Sequence, residues 1–158
     1  MKKKYFVYIL ALFFLSIDLF SKSIIVSNGR LMYRLTVIKN FFYINYVKNT
    51  GAAFSILKGY TYIFIILAII ASFYICKFCI SDDNKNIEIF GYSLLLSGII
   101  GNLCDRLFRG YVIDFLSFKI FNYYFPIFNF ADIFIVVGAI LIIIDLIWGK
   151  RNEVRSKK

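Results

Sequence analysis

The chain has 158 residues, 61% of them hydrophobic and 20% aromatic, with a mean hydropathy of +0.76 and a formal net charge of +10. A soluble domain of this length is far less apolar, and here the apolar residues come in long runs, so an integral membrane protein is expected. The positive balance does not describe a nucleic-acid surface, because the basic residues cluster at flanks that lie against anionic lipid.

Four runs reach the roughly 20 residues needed to cross a bilayer: about residues 5–25, 60–80, 87–108 and 127–148. The first follows Lys2, Lys3 and Lys4 and so imitates a signal peptide. No small-x-small cleavage site follows it, and Asp18 and Lys22 interrupt its end, so a retained span is expected. Asp18 and Lys22 are spaced i,i+4, acid first, which suits a neutralising ion pair as well as a substrate contact.

The first connection, residues 26–58, contains RLTVIK and FFYINYVKN, rich in β-branched and aromatic residues with partial alternation. A small β-structured element on the outer membrane surface is expected there. Its Asn49-Thr50-Gly51 has the composition of a turn. The second span ends in a CxxC, Cys76 and Cys79, with no second ligand pair, and packing explains it better than metal. The SDDNKN that follows is a short solvated turn on the inner side.

The third span ends in SGIIGNLCDRLFRGYVIDF. Asn102 shares a face with Arg106, and Asp105 shares one with Arg109, which favours a scaffold role for Asp105. Arg106 suits a lipid phosphate or a substrate carbonyl equally. The third connection, residues 109–126, is aromatic and amphipathic and reads as a short interfacial helix or flap. The fourth span opens with Asn129 and Asp132, which alone would mean only an N-cap with an acid at N3. Asp145 lies about 20 Å further along that span at 1.5 Å per residue and is expected to be structural.

An even number of spans places both termini on one side, and the basic clusters at both ends make that side the cytoplasm. No repeat or linker divides the chain, so residues 1–158 form one domain, an all-α membrane protein with four transmembrane helices and an outer β-structured element between helices 1 and 2. Four of the nine acidic residues, Asp18, Asp105, Asp114 and Asp132, then gather toward the outer face. Ionisable groups at membrane depth are costly and usually mark a site.

Histidine is absent, which removes the usual general base and the commonest metal ligand. Cys104 lacks a histidine base, and Ser21 and Lys22 are neighbours that point different ways on a helix. Two carboxylates are the economical catalyst, since a close pair retains one proton and supplies both an acid and a base. A proton or ion relay would spread its carboxylates through the membrane, and a non-catalytic scaffold would not need two acids with distinct roles.

Four motifs, DLFSK (18–22), NTGAAFSIL (49–57), GNLCDRLFRGYVIDF (101–115) and FNFAD (128–132), resemble in order and spacing those of bacterial lipoprotein signal peptidase, signal peptidase II. The resemblance implies a membrane aspartyl endopeptidase that removes the signal peptide from prolipoproteins, cutting before a cysteine that bears a diacylglyceryl group. It places the catalytic pair on Asp114 and Asp132. Asn49, Gly51, Asn102, Arg106 and Asn129 fall at positions that line or order the site, and Asp18 and Lys22 at a supporting pair. It further implies no metal or other cofactor, a lipidated prolipoprotein substrate, contact with membrane lipid, globomycin-like inhibitors, no nucleic-acid partner, a monomer, and a multi-pass location in the bacterial cytoplasmic (inner) membrane with the site toward the outer face.

Overall fold

A computed structural model describes residues 3–29, 34–51, 59–79 and 85–156, with side chains from 5 to 148 within those stretches. Residues 52–57 of NTGAAFSIL, residues 81–84 of the inner turn and the side chains of the basic termini lie outside the described residues. Four helices, α1 (Lys3–Ser27), α2 (Thr61–Cys79), α3 (Asn86–Arg109) and α4 (Phe130–Ser156), correspond to the four apolar runs. Each contains a stretch long and apolar enough to cross a membrane.

Helix α3 packs against each of the other three. It is also the least apolar span, with a hydropathy of 1.5 against 2.1 to 2.7 for the others, and it is half buried. Helices that face lipid must be apolar around most of their circumference, whereas one surrounded by protein can carry small and polar residues. Three glycines let α3 come close to its neighbours. Gly98 abuts the Ala131 carbonyl and Ile135, Gly91 faces Gly138, and Gly101 lies under the Asp18 carboxylate. A methyl group at Gly98 or Gly101 would enter the space those atoms occupy.

The β-structured element is a four-stranded antiparallel sheet in the order β1-β2-β3-β4. Strands β1 (Leu35–Ile38) and β2 (Phe42–Asn49) come from the first connection as expected. The third connection is neither an interfacial helix nor a flap: it forms β3 (Val112–Ile120) and β4 (Tyr123–Tyr124). Its VIDFLSFKI is β-branched and aromatic, and β2 offers it an edge whose backbone groups need partners. The composition is visible within the segment, but the edge that β2 offers is not.

Two local features aim the sheet. Gly110, at φ +79°, ends α3 with its N–H on the Arg106 carbonyl at 3.1 Å, and the chain enters β3 two residues later. Between the pairs Ile44 with Leu116 and Val47 with Asp114, two residues of β2 oppose one of β3, a bulge beside Asp114. Ile113, Phe115 and Leu116 are buried with Ile25 of α1, which anchors β3 to the helices.

Candidate active site

Asp132 stands at N3 of α4, and Asn129 is its cap. The Asp132 N–H donates to Asn129 Oδ1 at 3.0 Å, and the Asn129 N–H donates to Asp132 Oδ2 at 3.2 Å. This reciprocal pair is a capping box. The local explanation of Asn129 and Asp132 is therefore correct, but it uses only half of each side chain. The Asn129 amide donates to Asp114 Oδ1 at 2.7 Å and to the Ile113 carbonyl at 3.2 Å. Asp132 Oδ1 accepts from the Asn102 amide at 2.8 Å.

Asp114 arrives on β3, and its second oxygen accepts from the Asn49 amide at 2.8 Å. The Asn49 carbonyl oxygen accepts from the Gly51 N–H at 2.9 Å, so the Asn49-Thr50-Gly51 turn closes on the side chain that also reaches Asp114. Arg106 holds the turn from the other side, with Nη2 donating to the Gly51 carbonyl at 3.1 Å and Nη1 to the Asn102 carbonyl at 3.2 Å. Every oxygen of both carboxylates thus receives an N–H.

Asp114 and Asp132 both line a cavity of about 310 Å³, with Asn49, Asn102 and Arg106. Val112, Phe128, Ile135, Val136 and the segment 125–127 make its apolar walls. Asp114 is 3% exposed while Asp132 is half-buried. Burial first, and the Asp132 charge second, push the Asp114 carboxyl up to about 7 against the opposing pull of the Asn49 and Asn129 amides. At neutral pH Asp114 is therefore partly protonated.

The remaining expected residues do not line the cavity. Asn129 is fully buried behind it, as are Asp18 and Lys22. Lys22 Nζ lies 2.8 Å from Asp18 Oδ2, 3.1 Å from Asp105 Oδ2 and 3.1 Å from Asn102 Oδ1. Of the two open readings of Asp18 and Lys22, the buried ion pair is the one the geometry shows. Lys22 also fixes the Asn102 amide, since an oxygen held by the ammonium leaves the NH2 for Asp132. Asp18 Oδ1 accepts from the Ala131 N–H at 2.9 Å, satisfying an unpaired donor in the first turn of α4.

Asp105 belongs to this support. It accepts from Arg109 Nε at 3.0 Å and from the Ile113 N–H at 3.1 Å, joining α3 to β3 one residue before Asp114. Removing one partner from a buried charge network typically costs about 3–5 kcal/mol. Asp105→Ala is therefore expected to accumulate poorly or to melt early in detergent. A stable, folded and wholly inactive variant would instead move Asp105 into the chemistry. Asp145 sits at the opposite end of the helices, where Lys85 Nζ holds both its oxygens at 2.9 and 3.0 Å, far from the cavity.

Gly101 and Ala131 are the supporting residues whose roles sequence reasoning missed. Their small size admits the Asp18 carboxylate between α3 and α4, and the signal in the sequence was only their small size, with Gly98 and Gly101 spaced i,i+3.

The signal peptidase (SPase) II family profile matches residues 10–148. The lipoprotein signal peptidase of Neisseria meningitidis serogroup C / serotype 2a is 36% identical over 150 residues, covering 92% of this chain and 91% of that protein. That of strain 053442 is 38% identical over 149 residues, covering 92% and 91%. A bacterial membrane enzyme solved by the in meso method at 2.3 Å resolution superposes with a TM-score of 0.85 at 37% identity, covering 92% of this chain and 90% of that one. A second, at 1.9 Å resolution, gives 0.78 at 38% identity, covering 89% and 91%. Matched along nearly its whole length in sequence and in fold, this multi-pass membrane protein belongs to the signal peptidase II family.

Proposed function

We propose that this chain is an aspartyl endopeptidase that removes the signal peptide from diacylglyceryl-modified prolipoproteins, hydrolysing the bond before the lipidated cysteine with water activated between Asp114 and Asp132. The observation that carries it is the convergence of two carboxylates, from β3 and α4, on one cavity with apolar walls.

The two acids sit in different surroundings, which divides their roles. Asp114 is buried, and its protonated form serves as the acid, while Asp132 is half-buried at the positive end of the α4 dipole and acts as the base. Asp132 takes a proton from water as the water oxygen attacks the scissile carbonyl carbon. Asp114 gives its proton to the carbonyl oxygen, forming a gem-diol. The C–N bond then breaks as Asp132 returns its proton to the amino group of the cysteine, and one gem-diol hydroxyl gives its proton back to Asp114. Each carboxyl ends as it began, and no covalent enzyme intermediate forms.

Asn49, Asn102 and Asn129 fix the carboxylates so that little reorganisation accompanies proton transfer. Arg106 holds the Asn49 turn and the end of α3 together at the cavity wall. Ile135 and Val136 extend the cavity one turn deeper into α4, where an apolar signal helix or acyl chain fits. Residues 1–158 act as one domain and a monomer in the bacterial cytoplasmic membrane, termini inside and site toward the outer face. Globomycin-like peptides would compete for the same cavity.

The test is cleavage of a purified diacylglyceryl-modified prolipoprotein in detergent, beside an unlipidated copy. The lipidated substrate is expected to be cut at the bond before cysteine. The unlipidated one should lose at least a hundredfold in kcat/KM, because it forgoes acyl binding energy of about 0.8 kcal/mol per buried methylene. Equal cleavage of both would remove the lipid from the recognition.

A further inference from the structure

Beside the catalytic cavity lies a second one of about 300 Å³, and the two share Phe125, Pro126 and Ile127 as a common wall. The first reaches into α4 at Ile135 and Val136, whereas the second takes no residue from a spanning helix. It is formed outside the spans, by Arg34 ahead of β1, Asn45, Ser117 and Tyr124.

Its charge is unbalanced. The Arg34 guanidinium lies 3.9 Å from the Tyr43 ring centroid and 4.9 Å from that of Tyr124, and its Nη2 donates to the Tyr124 hydroxyl at 2.9 Å. Lys119 Nζ lies 5.5 Å from the same Tyr124 ring. Two cations thus lie against one tyrosine ring, and neither has a carboxylate partner among the described residues. The one acid on the four strands is Asp114, in the other cavity. With no counterion among the described residues, the like charges beside this ring repel each other, and a bound anion would relieve that.

We propose that this pocket receives the first residues of the mature polypeptide, just beyond the lipidated cysteine, and favours an acidic side chain there. The inference rests on the peptidase activity proposed above. With the signal helix and the acyl chains of the lipidated cysteine held on the membrane side, the mature polypeptide beyond that cysteine continues away from the spans. The next cavity across the shared wall is this one. Asn45 and Ser117 supply hydrogen-bonding groups for an extended backbone, and the Arg34 fork suits a carboxylate.

The experiment uses the full-length protein in detergent with diacylglyceryl peptides that carry Asp or Gln at the second to fourth residues of the mature chain. The quantity read is the ratio of kcat/KM for the acidic to the neutral peptide. Because Arg34 is exposed and Lys119 partly so, a preference of roughly twofold to fivefold is expected at low salt, and it should fall toward unity in 1 M salt. Arg34→Gln and Lys119→Gln should each lower the ratio, with Arg34→Lys retaining part of it. If Arg34→Gln fails to fold, the wild-type salt dependence and the Lys119→Gln ratio decide. A wild-type ratio of one at every salt would overturn the inference, as would a preference that survives both neutral variants. So would a rate that follows the phosphatidylglycerol content of added vesicles and ignores the peptide's charge, assigning the pocket to lipid phosphate. Failure to cut any lipidated peptide, neutral ones included, would instead remove the peptidase activity and this subsite with it.

Discussion

Asp114→Asn and Asp132→Asn are each expected to reduce cleavage by about 10²–10⁴-fold or more, the range that a positioned acid or base contributes. Asp145→Asn should remain active, since among the described residues its carboxylate serves the Lys85 pair, away from the cavity. The two site variants should differ in stability. Each replacement amide keeps one oxygen and so leaves one of two N–H donors unmet, at position 132 the Asn102 amide or the Asn129 N–H and at position 114 the Asn49 or the Asn129 amide. Position 114 is buried and position 132 only half-buried, so the unmet donor costs more at 114. A cleavage assay paired with a thermal melt in detergent separates lost chemistry from lost folding. Near wild-type cleavage by either variant would end the assignment of the pair.

The second large effect is on pH. Because Asp114 must hold a proton to act as acid, kcat/KM should fall tenfold per unit above about pH 7, where its carboxyl titrates. An acid limb at lower pH, where the base becomes protonated, completes the bell, and both apparent values belong to the pair. The sign for stability follows from linkage. The Asp114 carboxyl titrates higher in the folded protein than in the unfolded chain, so its contribution is fully present below the unfolded value near 3.8 and is lost as pH rises to about 7. Melting temperature should decline over that window, and Asp114→Asn should remove the Asp114 part of the slope. A flat alkaline limb through pH 9 would contradict the role given to Asp114. Serine- and thiol-directed reagents and chelators should leave the rate unchanged. An acyl-enzyme trapped on Ser21, Cys104 or Ser55, the last outside the described residues, would rule the mechanism out.

Both effects trace to burial of an acid, which composition alone does not reveal. Asp114 and Asp105 have similar neighbours in the chain, each close to arginines and apolar residues. Asp105 meets Lys22, Arg109 and the Ile113 N–H, which makes it a structural anion, whereas Asp114 meets two neutral amides and a second acid. The difference depends on partners from α1, β2 and α4, far away in sequence.

What could be read from the sequence by itself was what depends on local or summed properties. The four spans follow from apolar runs that only helices satisfy in lipid, because every backbone polar group must be paired within the segment. The Asp18–Lys22 pair and the Asn129–Asp132 cap follow from helical spacing and end chemistry. The tertiary structure alone decided what depends on contacts between segments. It made strands of the third connection, because β2 supplied an edge for VIDFLSFKI to pair with. It turned Lys22 toward Asp105 and Asn102, and it divided the polar residues into five that face the cavity and others that hold them from behind. A residue's spacing determines which face of its own element it occupies, but its electrostatic surroundings are set by the elements that pack against that face.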